Sequence, residues 1–255
     1  METRRKFLRK VGLTGIAAMG LPEILTGVKQ MQTDNLNEPN NELVILFQGD
    51  SITDGNRSKN NDKSHILGLS YPYLIACRLW HDNPETKLTF YNRGINGNKV
   101  NDLAARWQKD TIDIKPDILS ILVGVNDLYA IINNSYPYSL EKYGENYRKL
   151  LDNTWSSLPD TKIILCEPFI LPLGRVNEKK EAWLNEIKKQ QEIVRKIAGD
   201  YNAIFVELQY PFNKACERAP AEKWIWDGIH PLPAGHELIA RQWIKEFQKE
   251  FTYIK

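Results

Sequence analysis

The chain has 255 residues, 42% hydrophobic, 26% charged and 10% aromatic, with 15 Gly and 13 Pro; these proportions exclude wholesale disorder, collagen-like repeats and a disulfide-dense miniprotein. Its 34 Lys and Arg stand against 32 Asp and Glu, a net charge of +2. Residues 1–30 hold six of those cations and two of the anions, so the rest of the chain is net negative, which gives no support to a basic groove for nucleic acid. The length suits one α/β domain.

In chain order, the first feature is the adjacent pair Arg4 and Arg5, followed by a mildly apolar segment from Val11 to Leu21. This stretch resembles the twin-arginine (Tat) export signal of bacteria. The apolar segment falls short of the ~20 residues of a transmembrane helix, so no stable membrane span is expected. A basic helix docked on the body is the other reading. Residues 1–30 are thus expected to be an export signal and 31–41 a polar linker, with the body of the protein, residues 42–255, in the periplasm or outside the cell.

Five apolar runs then read as strands: Leu43–Phe47, Leu88–Tyr91, Ile118–Val123, Ile163–Cys166 and Ala203–Val206. Most are near-continuous rather than alternating, the pattern of strands buried on both faces of a parallel sheet. Tyr71–Trp80 and Leu140–Trp155 are expected helices. Leu184, Ile187, Gln191, Val194 and Ile197 step by three and four, and Ile239, Trp243, Phe247 and Phe251 step by four beyond Pro233, which suits a first helical turn. Glu167–Glu178, with two prolines and a glycine, reads as a long connection. The alternation predicts a three-layer α/β/α sandwich around a central five-stranded parallel sheet. Cys77, Cys166 and Cys216 show no metal-site spacing and imply no disulfide framework, and Cys166 is expected to be buried.

In such a sheet, ligands bind beyond the carboxyl ends of the strands, and four polar segments are placed to meet there. Ser51, in Gly49-Asp50-Ser51-Ile52-Thr53, follows the first strand and reads either as a helix cap or as a nucleophile. Gly94, in Asn92-Arg93-Gly94-Ile95-Asn96-Gly97-Asn98, reads either as a turn or as a backbone donor. Asn126, in Gly124-Val125-Asn126-Asp127, follows the third strand. In Asp227-Gly228-Ile229-His230-Pro231, a loop can fold the carboxylate under the imidazole, leaving the other ring nitrogen facing a nucleophile. Gly235-His236-Glu237 does not extend to His-Glu-x-x-His, and neither a dinucleotide nor a P-loop fingerprint occurs.

Jointly these segments resemble the SGNH (GDSL-type) hydrolase superfamily, whose Ser, Gly, Asn and His stand here as Ser51, Gly94, Asn126 and His230. Ile52 replaces the leucine of the eponymous motif. The stretches Phe47–Asp54, Asn92–Asn98, Ala104–Trp107, Gly124–Tyr129 and Trp226–Pro231 look like bacterial acetylxylan esterases of that superfamily. The resemblance implies a flavodoxin-like SGNH hydrolase fold with residues 42–255 as catalytic domain, and a serine esterase that removes O-acetyl groups from plant-type polysaccharides or oligosaccharides. It implies Ser51, Asp227 and His230 as catalytic residues and Ser51, Gly94 and Asn126 as the oxyanion hole, with no cofactor and no metal.

Tyr129, Trp224 and Trp226 offer aromatic faces either to sugar rings or to the core. The charged connection Glu167–Glu181 looks unlike an apolar lipase flap. The alternatives are a lysophospholipase, thioesterase or arylesterase of the same superfamily, or a non-catalytic carbohydrate-binding protein; monomer and homo-oligomer stay open.

Overall fold

The computed structural model describes residues 42–60, 62–135 and 137–254. The export signal and linker expected over residues 1–41 lie outside them. Five strands form one sheet: β1 (Glu42–Gly49), β2 (Lys87–Asn92), β3 (Ile118–Leu122), β4 (Lys162–Cys166) and β5 (Ile204–Val206), in the order β2-β1-β3-β4-β5. The sheet is parallel, with Ile45 opposite Ile118, Ile118 opposite Lys162 and Ile164 opposite Ile204.

The central strands β1, β3 and β4 bury both faces, as their unbroken apolar runs predict, while the edge strands β2 and β5 are only partly buried. Ile45 and Phe47 of β1, Leu122 of β3 and Ile164 of β4 point to one layer; Leu46, Leu119, Ile121, Ile163 and Leu165 point to the other. The first layer includes α2 (Tyr71–Asp82) and the C-terminal α9 (Pro233–Glu250), whose Trp243 stacks on Phe247 and donates its indole N–H to Ser120 Oγ of β3. The second includes α3 (Val100–Trp107), α5 (Leu140–Ser157) and the last turns of α7 (Lys180–Asp200). This is the expected three-layer sandwich. Pro233 opens α9, where its missing N–H has no helical partner to lose.

Four short helices escape the periodicity: α1 (Ser51–Asp54), α3, α4 (Val125–Ile132) and α8 (Gln209–Cys216). Each has eight residues or fewer, too few to repeat an apolar stripe. The connection after β4 also differs from a plain loop. It contains α6 (Arg175–Glu178), and Phe169, Ile170, Leu171 and Val176 are buried. Cys166 is buried as expected, and its thiol is pushed up to about 12 by that burial. All three cysteines are free thiols. Among the described residues no helix is long and apolar enough to cross a membrane.

Candidate active site

The carboxyl ends of β1 and β3 deliver Ser51 and Asn126 to one crevice, Gly94 after β2 lies beside them against α1, and the loop before α9 brings His230 over the crevice with Asp227 behind it. At the end of β1 the helix cap is Asp50, whose Oδ1 accepts from Ile52 N at 3.0 Å. Ser51 is therefore the first residue of α1. There its backbone N–H precedes the first helical hydrogen bond and is left for an outside acceptor. The cap reading thus falls to Asp50, and the Ser51 side chain stays free to face the cleft.

Ser51 Oγ lies 2.8 Å from His230 Nε2, and His230 Nδ1 lies 2.8 Å from Asp227 Oδ2. Asp227 is almost wholly buried. Burial by itself would raise its carboxyl, but the N–H groups of His230 and Ile229 and the His230 ring outweigh that and hold it below the usual range. The group is thus a carboxylate near neutrality, able only to accept. Its partner Nδ1 must carry the proton, which leaves Nε2 of the uncharged ring to accept from the Ser51 hydroxyl. The arrangement can draw a proton from Ser51 and return it to a leaving group.

Gly94 sits against α1: an added Cβ would collide with Asp54 N and come within 2.8 Å of Thr53 C. The residue beneath it does more than turn the chain. Buried Asn92 donates to Thr53 O at 2.7 Å and Leu67 O at 2.8 Å, while its Oδ1 accepts from Gly94 N at 2.9 Å. The Gly94 N–H is therefore already engaged by a neighbour.

Asn126, on the first turn of α4, donates one amide hydrogen to Asn98 O at 3.1 Å and keeps a second. The Asn98 loop is held in turn by Arg106, which donates to Asn98 Oδ1, Gln48 Oε1 and Asp110 Oδ2. Ser51 N–H and the second Asn126 Nδ2–H are thus the unengaged donors for a developing oxyanion, whereas Gly94 N–H already has a partner in Asn92.

The cleft holds about 470 Å³ and is lined by Ser51, Asn126 and His230 together with Asp54, Asn56, Asn96, Arg175, Trp226 and His236. Trp226 is 60% exposed and stacks beside the His230 ring at 6.1 Å. The structure does not bring the other two aromatic candidates into the cleft. Trp224 packs against the core and donates its indole N–H to Ala219 O, and Tyr129 lies over Trp183 at 6.2 Å.

Sequence reading missed Arg175 and His236. The His236 ring is brought down to about 4, first by burial and then by His230, so it is an uncharged wall of the cleft at neutral pH. Neither residue carries a motif signal, since both gain meaning from distant chain. Among the described residues no three His, Cys, Asp or Glu side chains group as metal ligands.

Known proteins share this fold. The GDSL-like Lipase/Acylhydrolase family matches over residues 47–238. The chain is 32% identical over 214 residues to an acetylxylan esterase of Geobacillus stearothermophilus, covering 82% of this chain and 95% of that one. A solved acetylxylan esterase of Geobacillus stearothermophilus aligns with a TM-score of 0.70 at 31% identity, over 80% of this chain and 93% of that one. Its solved catalytic mutants include one at a serine and one at an aspartate. A GDSL-like lipase structure from Parabacteroides merdae aligns with a TM-score of 0.77 at 39% identity, over 80% of this chain and 94% of that one.

Proposed function

The chain belongs to the GDSL-like lipase/acylhydrolase family and is a carboxylic ester hydrolase, and from that premise we propose that it removes O-acetyl groups from plant-type polysaccharides or their oligosaccharides through an acetyl-enzyme on Ser51. The observation that carries this reading is the unbroken relay from Ser51 Oγ through His230 to Asp227, two contacts of 2.8 Å each.

Ser51 Oγ attacks the acetyl carbonyl carbon while His230 Nε2 takes its proton. Asp227 holds the tautomer and faces the imidazolium that forms. The carbonyl oxygen, now an oxyanion, accepts from Ser51 N–H and from the spare hydrogen of Asn126. Gly94 N–H joins them by sharing the hydrogen it gives Asn92. His230 then passes the proton to the departing sugar oxygen, and water repeats the sequence on the acetyl-enzyme to release acetate.

A carbohydrate substrate is supported by the acetylxylan esterase relatives and by the cleft. Its rim presents amides at Asn56 and Asn96 and the exposed indole of Trp226, a face on which a sugar ring can lie. The apolar part of the connection after β4, Phe169 to Leu171, is turned inward and so forms no greasy lid.

Acetate release from acetylated xylooligosaccharides, set against hydrolysis of long-chain acyl esters, tests the substrate. A higher kcat/KM on the acetylated sugar is expected. Preference for the long-chain ester would favour a lipase-like enzyme, in line with the likeness to the Parabacteroides merdae structure.

A further inference from the structure

The connection from β4 to α6 is bound to the acid–base loop along its length. Leu171 N donates to Gly228 O at 3.0 Å and Arg175 N donates to Asp227 O at 3.2 Å. Two glycines permit this contact. Gly174 has φ +51° and no room for a side chain, since a Cβ would lie 2.8–2.9 Å from the Asp227 backbone. Gly228, at φ +92°, would put a Cβ 2.9 Å from Leu171 O and against Leu173 O. The strap is itself pinned from behind. The Gln209 side chain exchanges two hydrogen bonds with the Ile170 backbone, and Gln191 donates to Pro168 O. Val176 fills the space beneath with no exposed surface.

From this strap the Arg175 guanidinium reaches Asp227 Oδ2 at 2.9 Å, the same oxygen that receives His230 Nδ1–H. The Asp227 carboxylate thus has two contacts on each oxygen: backbone N–H groups on Oδ1, and the ring and the guanidinium on Oδ2. A permanently charged guanidinium against Oδ2 restrains rotation of the carboxylate.

On the esterase reading above, we infer that Arg175 is a positioning residue for the reaction, orienting Asp227 and through it His230 from a strap unrelated to the four family segments. Its effect is on the geometry in which His230 takes and returns the proton, and not on substrate affinity, because the strap places its charge on Asp227 and not over Ser51.

The test is steady-state hydrolysis of a small aryl acetate by the full chain and by Arg175→Ala, Arg175→Lys and Ser51→Ala. Loss of orientation one step from the reacting atoms predicts a kcat lower by about tenfold to a hundredfold in Arg175→Ala with KM unchanged. Arg175→Lys, which keeps the stem and the cation but not the planar fork, is expected to recover part of that loss. It also covers the case in which the alanine variant fails to fold. A wild-type kcat in Arg175→Ala beside an inactive Ser51→Ala would overturn the inference and leave the esterase reading standing. A raised KM at unchanged kcat would make Arg175 a substrate contact and equally overturn it. Activity retained by Ser51→Ala would instead bring down the esterase reading.

Discussion

At the scale of single residues, the oxyanion donors are unequal. Ser51 N–H lies before the first helical bond of α1, and Asn126 has a hydrogen beyond the one it gives Asn98 O, whereas Gly94 N–H is already held by Asn92 Oδ1. Asn126 should therefore carry a large part of the charge stabilisation. Asn126→Ala is predicted to lower kcat by about 10²–10³ while KM stays near wild type, measured by steady-state kinetics on an acetyl ester. A loss confined to KM would place Asn126 on the substrate instead.

These roles differ in how readable they are. Ser51, Asn126 and His230 fall in short segments that follow strand ends or precede a helix, so chain order alone aligns them. Asn92 looks like any turn residue, because its three carbonyl partners belong to residues 53, 54 and 67. Trp224 and Trp226 are two positions apart and bear equal promise in sequence. Trp224 closes the turn Ala221–Lys223 with its backbone in the helical region, so the chain changes direction between the two, and one indole packs on the core while the other meets the cleft.

At the scale of elements, buried carboxylates fasten the catalytic loops. Asp127, on α4 next to Asn126, accepts from Val100 N at the start of α3, and Asp50 caps α1. Burial pushes both carboxyls up to about 7, against the opposing pull of Ile52 N–H at Asp50 and Val100 N–H at Asp127. A carboxyl raised in the folded state binds its proton more tightly there than in the unfolded chain. Such a group costs stability as pH climbs from about 4 to about 7, with no further change above.

Asp127→Asn keeps an oxygen for Val100 and cannot ionise. The Asn variant should gain melting temperature relative to wild type progressively over that window and hold the gain above pH 7. Thermal melts at pH 4, 6 and 8 check this; a gain that is constant with pH would remove Asp127 as the titrating group. The long elements α5, α7 and α9 were legible because their apolar steps repeat several times. The helices α3 and α4 were not, since two turns are too few for a period and their placement comes from long-range contacts such as Asp127 with Val100.

At the scale of the molecule, the parallel sheet turns sequence order into a site. Right-handed crossovers put the carboxyl ends of β1, β2 and β3 at one edge, so residues 51, 94 and 126 converge although more than 30 residues separate each from the next. The central strands β1, β3 and β4 were visible because burial on both faces leaves unbroken apolar runs. The strap around Arg175 was not, because its hold on Gly228 and Asp227 depends on backbone groups more than 50 residues away.

The central claim, that Ser51 forms the acetyl-enzyme in this crevice, is tested most directly by acetate release from acetylated xylooligosaccharides with wild-type protein and Ser51→Ala. The account predicts steady release by the wild type and a rate in Ser51→Ala lower by about 10⁴-fold or more at unchanged thermal stability. Release by Ser51→Ala within about tenfold of wild type would contradict it, because loss of a nucleophile in a serine relay costs far more than that.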